Sequence, residues 1–286
     1  MRNALRIEPV TPHLGAEVFG FDPRQAGEAA WEEIRAHFTR HAVLFFRDLE
    51  LTPAQQVAMT ARFGPPFRVP YVAHMEEHPD IIAVLKEADE QRIATFGGTW
   101  HSDFSFLERP PMATLLYARE LPPTGGDTLW ANQYLAFESL SPAYQEFLIG
   151  RRAIQTGWPH GTTGPKADEE GLSRSVKMAR GDPSADREIA HPIVRRHPES
   201  GRLALFVNPV YTQRIDGMTR EESAPILNFL YQHSVRPEFT CRLRWQPGTL
   251  ALWDNRATLH LAINDYDGHR RLLHRTTVAG EAPLAA

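Results

Sequence analysis

A single cysteine, Cys241, stands among 286 residues, which excludes an internal disulfide and any cysteine-built zinc or iron–sulfur site. Long apolar runs are missing too. No stretch approaches the roughly 20 residues a membrane helix needs, so no membrane association is expected. The opening Met1-Arg2-Asn3-Ala4-Leu5-Arg6 lacks the apolar core of a secretory signal, and a cytoplasmic location is expected. Nor is there a basic excess. The net charge is −4, without the positive stripe that nucleic-acid binding requires. Internal repeats and low-complexity linkers are absent, and the whole chain, 1–286, reads as one domain.

What remains is an ordinary globular composition, 42% hydrophobic and 23% charged, enough to bury a sizeable core. Short strands are expected at Leu5–Val10 and Ala16–Phe21, then a helix over Arg24–Arg40 with Ala30, Ile34 and Phe38 on one side. A buried strand follows at Ala42–Phe46. Thr52-Pro53 opens a second helix, threonine capping and proline at the first helical position. From Ile81 the chain becomes strand-rich, with segments at Ala113–Arg119, Thr128–Trp130, Arg152–Gln155, Ile189–Val194, Leu203–Val207, Thr240–Trp245, Thr249–Trp253 and Leu272–Val278. Helices interrupt at Gln133–Leu140, Pro142–Ile149 and Thr219–His233, the last opened by a Thr219…Glu222 capping box. Gly157 to Asp186 has little periodicity and reads as a long active-site loop or lid. The sum is a β-rich α+β protein, its many strands suiting a double-sheet jelly roll with flanking helices.

Histidine is abundant, at 13 residues. With 35 acids present, about 1.6 His-x-acid triplets are expected by chance, and the chain has four. Two carry a central proline, at His78 and His197, which suits a turn; His74-Met75-Glu76 lies in a polar, solvated stretch. His101-Ser102-Asp103 differs. Trp100 precedes it, Phe104 and Phe106 follow, and an extended segment would project both side chains to one face. A histidine bonded to a neighbouring aspartate at a strand end would look the same. Far downstream, His260 sits between leucines, where a core histidine is the commoner reading. Alternation in the segment after it puts Arg271, Leu273 and Arg275 on one face of a strand. Buried arginines ask for anions, since the guanidinium matches a carboxylate bidentately. A solvated edge strand guarded by charge is the plainer alternative. Two imidazoles with one carboxylate form a donor set for Fe(II), and equally for a hydrolytic zinc ion.

Taken in order, Trp100-His101-Ser102-Asp103, Gly125-Gly126-Asp127-Thr128, Phe206-Val207-Asn208, Trp253-Asp254-Asn255 and His260…Arg271…Arg275 carry a resemblance. The chain resembles the taurine dioxygenase/2,4-dichlorophenoxyacetate dioxygenase family of Fe(II)- and 2-oxoglutarate-dependent oxygenases, from His13 to Arg275. The resemblance implies a double-stranded β-helix and an iron site of His101, Asp103 and His260. It implies that Thr128 and Arg271 hold the distal carboxylate of 2-oxoglutarate. Arg275 would lie near the metal-bound end of that co-substrate and meet an anionic substrate. Oxidative decarboxylation to succinate and CO2, with O2 consumed, would accompany hydroxylation. Similar enzymes form dimers or tetramers.

On the substrate side the family pattern changes. Val69 and the Phe96-Gly97-Gly98 stretch stand where taurine dioxygenase has polar groups, and a sulfonate left without partners binds poorly. Arg214-Ile215-Asp216-Gly217 and Phe239-Thr240-Cys241-Arg242 look more like the phenoxypropionate dioxygenases. The expected substrate is a small organic anion with an apolar or aromatic body, aryloxyalkanoate-like, held by Arg275. Val69, Tyr71, Phe104 and Trp158 are candidate walls, although aromatic residues also build cores. The same chemistry on a sulfonate, alkyl sulfate or amino-acid derivative is the alternative. A non-catalytic cupin-like binding protein is a third reading, of another class.

Overall fold

The computed structural model describes residues 5–90, 95–164 and 175–286. Its largest element is a seven-stranded sheet in the order Arg6–Pro9, Ala16–Phe19, Val43–Phe46, Leu250–Asp254, Ala113–Glu120, Arg271–Val278, Ile82–Lys86. Neighbours are antiparallel except Ala16–Phe19 with Val43–Phe46. Period-two alternation sorts the strands' side chains. Leu44, Phe46, Leu115 and Leu252 face outward and pack with Trp31, Ile34, Phe38 and Met59 of helices Glu28–His41 and Pro53–Ala61. Phe45, Leu116, Ala251, Trp253 and Leu273 face inward, onto Trp130.

Trp130 belongs to a three-stranded sheet, Thr240–Leu243, Thr128–Asn132, Thr258–Ala262 in spatial order. Fully buried, it packs at a tilt against Phe45 and Trp253, ring centroids 5.3 and 5.7 Å apart. Two further three-stranded sheets pair Thr212–Ile215, Arg152–Gln155 and Ile189–Pro192, and Leu203–Leu205, Val194–Arg196 and Leu284–Ala285. Helices Gln133–Glu138, Pro142–Leu148 and Arg220–Ser234 cover these through Leu148, Leu227 and Leu230. The expected capping box forms at Thr219 with Glu222, and Thr52 makes a second one with Gln55, each worth about 1 kcal/mol.

Several boundaries differ from expectation. The first helix begins at Glu28, because Asp22 accepts from the amides of Arg24, Gln25 and Ala26 and holds that stretch in a turn. The strand expected at Ile189–Val194 divides, its halves pairing with different sheets. Arg271–Val278 is no edge strand: it runs between Ala113–Glu120 and Ile82–Lys86. Of the long loop expected at 157–186, residues 165–174 lie outside the described residues; Trp158–His160 and Pro183–Asp186 are single 3-10 turns. Among the described residues, no helix is long and apolar enough to cross a membrane.

Candidate active site

The site lies between the inward face of the large sheet and the small sheet bearing Trp130. His260 enters from strand Thr258–Ala262 and pairs through its backbone with His101, amide to carbonyl at 2.8 and 3.1 Å. His101 is a single bridge residue rather than part of a strand. From Asp103 onward the chain turns, with Phe104 in the left-handed region at φ 46°. The result is one convergent set, the carboxylate Oδ1 of Asp103 lying 3.6 Å from His101 Nε2 and 3.7 Å from His260 Nε2. Among the described residues this is the one cluster of three or more such groups able to share a metal ion.

These distances are too long for hydrogen bonds. His101 Nδ1 donates to the Thr99 carbonyl at 2.7 Å, which leaves Nε2 with a lone pair facing the lone pairs of Asp103. Burial pushes His260 down to about 3, so its ring is neutral. Burial works to raise the Asp103 carboxyl, but the positive charge of the adjacent Arg275 opposes it, and the group is held well below the usual carboxylate range. Lone pairs converging on one point suit a divalent cation with nitrogen and oxygen ligands.

Two buried arginines flank the triad. Arg275 Nη2 lies 3.1 Å from Asp103 Oδ1 without hydrogen-bond alignment, and its Nε has no partner. Arg271 donates to the Gly126 carbonyl at 3.0 Å and lies 5.6 and 5.9 Å from the Tyr266 and Trp245 rings; its Nε also lacks a partner. Thr128 Oγ1 accepts from Trp245 Nε1 at 3.0 Å, so its own proton remains to be donated. Guanidinium groups buried this way, only 3% exposed, are costly unless an anion arrives.

Two adjoining cavities meet at the triad, sharing Phe96, Gly97, His101, Asp103 and Arg275. The smaller, about 40 Å³, adds Thr128, His260 and Arg271, so all six expected metal and co-substrate residues line one space. The larger, about 220 Å³, is walled by Phe104, His160, Met178, Arg180, Val210 and Tyr211. Of the four expected wall residues, Phe104 lines it. Val69 is packed in the core, and Tyr71 stacks behind His160 at 5.3 Å, its hydroxyl paired with Ser184. Trp158 donates its indole N–H to the Val210 carbonyl and leaves the wall to Pro159 and His160. His160 and Tyr211 carried no distinguishing signal in the sequence. Each sits in a loop whose direction is set by contacts with distant segments, such as Phe106 against Tyr211.

The chain matches the family described as taurine catabolism dioxygenase TauD, TfdA over residues 6–277. An alpha-ketoglutarate-dependent sulfate ester dioxygenase of Pseudomonas putida is 34% identical over 98% of this chain and 91% of its own. The crystal structure of a taurine dioxygenase from Burkholderia xenovorans superposes with a TM-score of 0.82 at 35% identity, covering 99% of this chain and 93% of that one. The (S)-phenoxypropionate/alpha-ketoglutarate-dioxygenase of Sphingobium herbicidovorans is 27% identical over 98% and 97%. By identity the first two stand nearer to this chain than the phenoxypropionate enzyme, the reverse of the order suggested by the C-terminal motifs.

Proposed function

The chain belongs to the taurine catabolism dioxygenase TauD, TfdA family and is an Fe(II)- and 2-oxoglutarate-dependent dioxygenase; from that premise we propose that it hydroxylates a small organic anion with an apolar body. When bound, iron, 2-oxoglutarate and O2 supply the oxidising chemistry, with succinate and CO2 as co-products. In this reading His101, Asp103 and His260 hold the iron. Thr128 and Arg271 receive the distal carboxylate of 2-oxoglutarate, the threonine donating its free proton and the arginine its unpartnered Nε–H. Arg275 orients the acid group of the substrate, while Phe104, Met178 and Val210 exclude water from its apolar body. The observation that carries the reading is two buried guanidinium groups, each with an Nε–H that has no partner, beside a convergent His–Asp–His set.

The core is read as a double-stranded β-helix within a single domain, a reading supported by the likeness to the Burkholderia enzyme. For the acid group, a sulfate ester or sulfonate is the first choice, supported by what the nearer relatives are named for. An aryloxyalkanoate is the second, supported by the phenoxypropionate relative and the apolar wall. The test is a panel of alkyl sulfates, sulfonates and aryloxyalkanoates read by succinate formation. Fe(II)-dependent succinate with one of these classes, abolished in His101→Ala and Asp103→Ala, is expected. Succinate formation that survives either substitution would refute the assignment of the site.

A further inference from the structure

Trp253-Asp254-Asn255 stands out in the sequence, yet none of its side chains lines the larger cavity. Asn255 is 2% exposed and lies behind the triad. Its Oδ1 accepts from Trp253 Nε1 at 3.0 Å, and its Nδ2 donates to Thr114 Oγ1 at 3.1 Å. Thr114 donates in turn to Asp103 Oδ2 at 2.7 Å. The direction of this relay is forced at both ends. An indole N–H can only donate, so Asn255 must turn its oxygen toward Trp253 and its amide toward Thr114. An ionised carboxylate can only accept, so the one hydroxyl proton of Thr114 goes to Asp103. The Asn255 carbonyl closes the arrangement by accepting from Ser102 Oγ at 2.7 Å, between the two ligand residues.

We propose that Thr114 and Asn255 are positioning residues that occupy Asp103 Oδ2 and leave Oδ1 as the one oxygen presented to the metal. Oδ1 is the atom facing both histidines, whereas Oδ2 is turned to Thr114. A carboxylate limited to one oxygen leaves more of the metal open to 2-oxoglutarate and O2. Partners behind a metal ligand orient it and raise affinity, and their loss commonly costs about 10- to 100-fold. This inference rests on the iron reading of the triad.

The experiment uses the full chain, freed of metal by chelator and titrated with Co(II), whose visible absorption reports its ligands. Thr114→Val keeps the shape and removes the donor; Thr114→Ser restores a hydroxyl. The expected result is Co(II) binding weakened about 10- to 100-fold with an altered absorption band in Thr114→Val, and recovery of both in Thr114→Ser. 2-Oxoglutarate added to the Co(II) form should also bind more weakly to Thr114→Val. Should that variant fail to fold, as read from its melting curve, Asn255→Ser removes the amide that donates to Thr114, two hydrogen bonds from Asp103, and should weaken Co(II) in the same direction. Unchanged affinity and band in the folded variants would overturn the proposal while leaving the iron reading intact. Wild-type chain that takes up no Co(II) would overturn both.

Discussion

Replacing Arg271 by methionine should move stability and co-substrate binding in opposite directions. The guanidinium is buried, donating to the Gly126 carbonyl, with the Tyr266 and Trp245 rings beside it. Among the described residues no carboxylate stands within ion-pair distance of it, and burial lowers its affinity for the proton. Losing the hydrogen bond costs about 1 kcal/mol, and losing the ring contacts about 1–2 kcal/mol. Against this stands the several kcal/mol needed to keep an uncompensated cation out of water. Arg271→Met is therefore expected to leave the chelated protein unharmed or about 1 kcal/mol more stable, a trade of function for stability. At a hundredfold excess over its dissociation constant, 2-oxoglutarate should stabilise the metal-loaded wild type by about 2.7 kcal/mol. If the charge-assisted contact supplies about 2.7 kcal/mol, the variant binds about 100-fold more weakly, and the same concentration stabilises it by only about 0.4 kcal/mol. Denaturant titrations with and without 2-oxoglutarate measure both quantities. A variant that loses 2 kcal/mol without ligand yet keeps the wild-type response to 2-oxoglutarate would show that Arg271 is structural, and would refute the reasoning.

Gly126 has φ 69°, and a Cβ there would come 3.0 Å from Arg271 Nε; Gly126→Ala should raise the KM for 2-oxoglutarate with little change in the Co(II) constant. Thr128→Val removes the free hydroxyl and should raise the same KM roughly tenfold, in keeping with about 1.4 kcal/mol for one hydrogen bond to a charged group; an unchanged KM would count against that contact. Burial pushes His41, His160, His191 and His274 down to about 4. Below about 6.5 these histidines take a proton when unfolded but not when folded, so stability should fall as pH drops from about 6.5 to 4. The limit is about 1.4 kcal/mol per pH unit for each, and urea midpoints of the chelated protein that stay level across this range would contradict it.

Where a signal was local, the sequence carried it. The Thr219 capping box and the Thr52 cap form as expected, and the parity of Arg271, Leu273 and Arg275 puts both cations on the inward face. The six residues expected to hold metal and co-substrate line one cavity although His101 and His260 are 159 positions apart. What failed was whatever depends on how segments meet. The extended stretch expected around His101 shrinks to a single bridge, and the chain then turns through a left-handed Phe104, a conformation that local pattern does not announce. Val69 and Tyr71 lie one layer behind the cavity, because His160 arrives from a distant loop to cover Tyr71. Thr114 and Asn255 gave no hint of a shared purpose, since pairing across Ala113–Glu120 and Leu250–Asp254 is what sets them side by side.

The backbone pairing of His101 with His260 bears on how the protein is charged with its ion. These are main-chain bonds between segments that the sheet packing already holds, so the socket owes its shape to the polypeptide. An ion held there is expected to load after folding and reversibly, which a chelator titration of the folded chain checks. Such a socket has little power to refuse a rival cation, because among first-row divalent ions nitrogen and oxygen donors favour copper and zinc over iron. The working fraction of the enzyme is thereby set by the supply of free metals around it, and an excess of zinc would silence it without unfolding it.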